Sequence, residues 1–218
     1  NQLQFRAFAL RTPPRPPTTR EDNLHISDID KAIVEGLRQF GVLRDVDGHQ
    51  LNQRDGAIVV ACSDGDQLHD IFANHAALQS ARQNPRIHLL GGHGGALKIP
   101  EKSPILKPGR TTDLDLIDEI FEAQDLKGIT TVVLYTHTPC GKAYGVDLNF
   151  LQVIALQMAA KSRLKALAAE SGRAIKVACF AHVHHADGRR RTYYICKEAW
   201  KRFQPAEDDG DRDSAEVA

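Results

Sequence analysis

The sequence predicts a single α/β domain whose mostly parallel β-sheet is flanked by helices and carries an antiparallel edge strand. Three observations predict it. Short, mostly apolar runs recur at residues 57–62, 87–90, 129–136 and 175–182; they match buried strands. Longer segments with apolar residues at helical spacing alternate with them. After the fourth run, Ala186-Asp187-Gly188 turns the chain back through residues 192–195, which read as an antiparallel strand beside the fourth. A chain of 218 residues suits one well-buried domain with extensions.

In chain order, residues 1–20 contain Pro13-Pro14-Arg15-Pro16-Pro17, a proline density that blocks helix and favours an extended arm. The domain proper is expected over residues 21–204. Ser27-Asp28-Ile29-Asp30 supplies capping oxygens ahead of Ile33, Leu37 and Phe40, and Gly41 ends that helix. Thr111 or Thr112 caps a second helix, in which Leu114, Ile117, Ile120 and Phe121 are expected to face the sheet and which Gly128 ends. Residues 150–169 form a longer helix with Leu151, Ile154, Leu156, Leu164 and Leu167 among its apolar positions and Gly172 beyond its end. Residues 205–218 are acidic with few apolar side chains and read as a disordered tail. No internal repeat is evident.

Lys plus Arg and Asp plus Glu balance at 28 each, so no overall bias toward nucleic acid or an anionic membrane exists. No apolar run reaches the roughly 18 residues of a membrane-spanning helix. Four cysteines do not resemble the disulfide framework of a small secreted scaffold, no signal peptide is visible, and a cytoplasmic location is expected.

The chemistry is concentrated at two strand ends. Cys62-Ser63-Asp64-Gly65-Asp66 follows the first run, and His137-Thr138-Pro139-Cys140-Gly141 follows the third. Parallel neighbouring strands finish at one edge, so Cys62, His137 and Cys140 can meet there as a Cys₂His set. Such a set suits Zn²⁺ and leaves a fourth tetrahedral position for water, substrate or Asp64. Either cysteine alone reads as a small buried hydrophobe; the joint pattern favours ligation. Cys179 and Cys196 lack such surroundings and are expected to pack in or against the sheet.

Cys-x-Asp followed by His-x-x-Cys-Gly is similar to the paired metal motifs of β-class carbonic anhydrases, over residues 55–194. The resemblance implies their fold, a zinc held by Cys62, His137 and Cys140, and reversible hydration of CO₂ to bicarbonate, with Asp64 orienting the activated water or closing the site as a fourth ligand. It also implies a homodimer or larger even assembly. One position departs: Asp66 stands where the family motif carries arginine, the cation that holds the aspartate off the metal. Two neighbouring carboxylates repel, which pushes Asp64 toward the metal. The departure leaves open a zinc-binding, catalytically silent relative, and a hydrolase of a related small electrophile such as carbonyl sulfide. Lys142 is the first candidate for a replacing cation, with Lys98 and Arg110 behind it.

Three further features carry weaker signals. Gly91-Gly92-His93-Gly94-Gly95 lacks the Lys-Ser/Thr ending of a phosphate loop; it reads as a flexible turn with a surface histidine, or as a loop bordering the site in which His93 shuttles protons. His182-Val183-His184-His185 places His182 and His184 on one strand face, yet no third ligand is evident, and it reads as a partly exposed strand end. Arg189-Arg190-Arg191 reads as a solvated hairpin edge.

Overall fold

The computed structural model describes residues 26–46, 55–78 and 86–204. The expected arm at 1–20 and the acidic tail at 205–218 lie outside the described residues. Helix α1 (Asp28–Gln39) is capped by Ser27, whose hydroxyl accepts the Asp30 N–H at 3.1 Å. Gly41, with φ 69°, ends it in the left-handed region that glycine tolerates. Strand β1 (Leu43–Asp45) follows at once, then β2 (Ala57–Ala61), α2 (Leu68–Leu78), β3 (Ile87–Gly91), α3 (Thr112–Lys127) and β4 (Thr131–Thr138). A four-residue helix α4 (Gly141–Tyr144) leads to α5 (Phe150–Glu170), β5 (Lys176–His184), β6 (Arg190–Ile195) and α6 (Lys197–Phe203). Asn149 and Gln152 form a reciprocal capping box at the start of α5.

The strands form a six-stranded sheet in the order β1-β6-β5-β4-β2-β3. β3, β2, β4 and β5 run parallel, while β6 is antiparallel to both β5 and β1. This is the α/β architecture expected from the sequence, with β1 added at the antiparallel edge. One face, with Ile58, Val60, Val132, Leu134, Cys179 and Ala181, packs on residues of α1, α3, α5 and α6. The other, with Val59, Val133, Tyr135 and Phe180, packs on Ile71 of α2.

Three expectations are corrected. Leu114 does not face the sheet; it is 46% exposed. The buried stripe of α3 is Asp113, Leu116, Ile117, Ile120 and Ala123. Leu114 sits one residue past Asp113, about 100° round the helix from it. Asp113 takes the inward place because Arg163 of α5 reaches it at 2.7 Å. Second, β4 does not end at residue 136. It pairs with β5 through His137↔His182 and Thr138↔Val183, so His137 projects from the strand itself. Third, His182 is not part of an exposed strand end: it is 3% exposed. Cys179 and Cys196 are buried as expected. Among the described residues no helix is long and apolar enough to cross a membrane.

Candidate metal centre

Cys62 leaves the end of β2, His137 projects from β4, and Cys140 stands at the entry of α4. Parallel pairing of β2 with β4 brings these ends together. The two Sγ atoms and the imidazole nitrogen lie within 4.8 Å of one another, and all three residues are buried. Tetrahedral zinc with Zn–S bonds of about 2.3 Å separates its sulfur ligands by roughly 3.8 Å, so the spacing fits.

The surroundings prepare each donor atom. His137 Nδ1 lies 2.7 Å from the Pro139 carbonyl oxygen, across the cis Thr138–Pro139 peptide. A carbonyl only accepts, so Nδ1 carries the proton and Nε2 presents its lone pair. That Nε2 is buried and has no hydrogen-bond partner among the described residues. An orphaned buried nitrogen beside two thiols is the chemistry a metal completes.

Cys62 is cradled by the glycine loop. Gly94 N–H donates to Cys62 Sγ at 3.2 Å, and Ser63 N and Gly92 O join the two loops at 3.2 Å. Gly95, at φ 49°, approaches so closely that a Cβ there would lie 2.5 Å from Ala61 C and Cys62 N. The glycines are thus a packed support for Cys62, and His93 stays exposed. The neighbouring Cys140 sulfur and burial push the Cys62 thiol up to about 12. The Cys62 side chain beside it, with the Ala143 and Lys142 N–H groups, holds Cys140 below its ordinary value.

Asp64 borders this group. Its Oδ2 lies 3.9 Å from His137 Nε2, and its Oδ1 accepts the Asp66 N–H at 3.0 Å. Because Nε2 holds a lone pair, the first contact is not an ion pair. Among the described residues no lysine or arginine comes within 4.0 Å of the Asp64 carboxylate. Lys98 Nζ sits against Gly92 and lines a pocket with Asp115 and Glu119. Lys142 runs alongside Gly94, and Arg110 is exposed on the loop before α3. None of the three supplies the cation that the sequence reading looked for.

Two groups near this edge escaped the sequence reading. Buried Gln157 of α5 accepts from Thr136 Oγ1 at 2.8 Å and donates to Leu134 O and Phe180 O, tying β4 to β5 next to His137. Asp30 of α1, buried, accepts Phe150 N–H at 2.8 Å and Tyr144 O–H at 3.2 Å, anchoring the segment that follows Cys140. Periodicity flags neither, since a buried polar residue on an apolar stripe looks like an interruption.

No protein-family model matches the chain, and no curated protein matches it. Solved structures that do match include the β-carbonic anhydrase CafD of the filamentous fungus Aspergillus fumigatus. A glutamate-to-alanine mutant and a cysteine-to-alanine mutant of CafD each match with a TM-score of 0.41, and the wild type with 0.39. In all three the identity is 12%, and the match covers 71% of this chain and 99% of CafD.

Proposed function

We propose that the chain is a zinc protein of the carbonic-anhydrase type, with Cys62, His137 and Cys140 as ligands and CO₂ hydration to bicarbonate as its reaction. The observation that carries the reading is the convergence of two buried thiols on a histidine nitrogen already aimed and unpartnered. Zinc in such a set acidifies a water at its open position and stabilises negative charge on a small electrophile. The chain's own residues do the rest. Pro139 O fixes the His137 tautomer, Gly94 N–H stabilises charge on Cys62, and the α4 N–H groups do so for Cys140. Asp64, with Oδ1 held by the Asp66 N–H, keeps Oδ2 at the edge of the centre, where it accepts a proton or orients a water.

A specific observation favours a second reading, a closed and silent centre. Among the described residues Asp64 has no lysine or arginine within 4.0 Å to hold it back, and its Oδ2 already stands 3.9 Å from His137 Nε2. The chain would then hold zinc structurally, as a homodimer or larger assembly without turnover. A hydrolase of carbonyl sulfide remains the third alternative, with the same ligands.

Stopped-flow CO₂ hydration by protein carrying one zinc per chain decides between them, with Asp66→Arg run in parallel. Turnover well above the metal-free control supports the lyase. Turnover that appears only in Asp66→Arg supports the closed reading. If Cys62→Ser and Cys140→Ser bind zinc as tightly as the native chain, the metal assignment itself is wrong.

A further inference from the structure

His182 belongs to neither motif, yet it sits beside the centre. It is the register partner of His137 across β4 and β5, which places the two Cα atoms about 4.8 Å apart with both imidazoles on one sheet face. The ring is buried, and its Nδ1 lies 2.9 Å from Thr192 Oγ1 of β6. Its Nε2 has no hydrogen-bond partner among the described residues, and neither does His137 Nε2, so the two do not satisfy each other. A buried polar nitrogen left unpaired in a native fold calls for a partner or another explanation, and beside the His137 ligand position a small ligand is one.

We infer that His182 Nε2–H is the hydrogen-bond donor for a small anion held at the open position of the metal centre. The inference rests on the metal reading above. We take the tautomer in which Nδ1 accepts from the Thr192 hydroxyl, which leaves the one proton of a neutral ring on Nε2. The two candidate sulfur ligands and the Asp64 carboxylate accept hydrogen bonds and would repel negative charge once the thiols are ionised. A small anion, whether substrate, product or inhibitor, needs a donor there, and His182 supplies one from a rigid strand. The Asp70–Arg190 ion pair links α2 to β6 near the same ring, holding the strand that carries Thr192.

The test uses the full chain loaded with Co²⁺, whose thiolate charge-transfer bands report ligation and whose visible bands report an anion in the open position. Azide is the titrant. His182→Leu is expected to weaken azide binding about tenfold or more, as loss of a hydrogen bond to a charged group does, with the thiolate bands unchanged. His182→Gln, whose amide reaches the depth of Nε2, stays within about threefold of the native affinity. His182→Asn keeps a partner for Thr192 but not the reach, and loses affinity as leucine does; it serves if His182→Leu does not fold. Native azide affinity in both His182→Leu and His182→Asn, with intact thiolate bands, overturns the inference and leaves the metal reading standing. Absence of thiolate bands in the native chain overturns the metal reading and the inference with it.

Discussion

His75 makes the stability of this fold depend on pH in a way that can be calculated. It lies on α2, fully buried, with Nδ1 3.1 Å from the Tyr135 hydroxyl and Nε2 without a partner among the described residues. A second N–H on the ring would find no acceptor, and burial pushes the His75 pKa down from 6.5 to about 4. A histidine whose pKa is lower folded than unfolded binds its proton more readily when the chain is open. The stability is therefore fully present above about pH 6.5 and is lost as pH falls toward about 4. At 1.36 kcal/mol per unit, linkage gives a loss of about 2.5 kcal/mol between roughly pH 7.5 and 4.5 from this group alone. Urea unfolding of the native chain and of His75→Asn at both pH values isolates it, because the other titrating groups cancel in the difference. Asparagine retains a bond to Tyr135 and cannot titrate, so its constant packing cost does not enter the slope. The native chain should lose about 2.5 kcal/mol more than the variant over this interval. Parallel losses in the two proteins would refute the reasoning.

Gly95→Ala should destabilise the fold by at least about 2 kcal/mol and lower zinc occupancy, since a Cβ would meet the Ala61–Cys62 backbone at 2.5 Å; unfolding midpoint and metal analysis check both. Asp30→Ala removes the acceptor of the Phe150 N–H and Tyr144 O–H, and should cost about 2–4 kcal/mol in urea unfolding. Asp66→Pro deletes the N–H that holds Asp64 Oδ1 whereas Asp66→Ala keeps it, so only the proline variant should change the visible spectrum of the cobalt-loaded protein.

Strands β2, β4 and β5 were legible because both their faces are covered, which forces nearly unbroken apolar runs, whereas β3, a sheet edge with no fully buried residue, showed only through its short Ile-His-Leu-Leu run. β1 was not, since Arg44 and Asp45 are exposed and the segment is a strand only through its pairing with β6. α2 hid for a related reason: its buried positions are Ile71 and His75, and a histidine spoils an apolar stripe. Boundaries decided the rest. Reading β4 as ending at residue 136 and β5 at 182 put His137 after a strand and His182 at a frayed end. Two more residues of pairing, invisible to propensity because Thr136, Thr138 and the histidines are polar, bury both rings at the centre. The candidate set Cys62, His137 and Cys140 does not depend on that boundary, because the motifs pick it by residue type.

Asp66 shows why a charge in a motif cannot be weighed from sequence alone. As a carboxylate two residues from Asp64 it reads as a repelling neighbour, but its side chain is exposed, where the repulsion is that of charges in water. Even at 5 Å this amounts to about 0.8 kcal/mol before salt screening. Its backbone N–H, 3.0 Å from Asp64 Oδ1, makes a hydrogen bond to a charged group, worth about 1.5–3 kcal/mol. The amide outweighs the charge, so Asp64 is held by its own loop, and residue 66 positions it through an atom that every residue except proline carries. What the loop cannot supply is a positive charge opposing the pull of a bound cation on Asp64 Oδ2. Oδ1 is held and Oδ2 is not, so if the three donors hold a metal, its binding and the resting place of one carboxylate oxygen would be coupled, with no lysine or arginine among the described residues within 4.0 Å of that carboxylate.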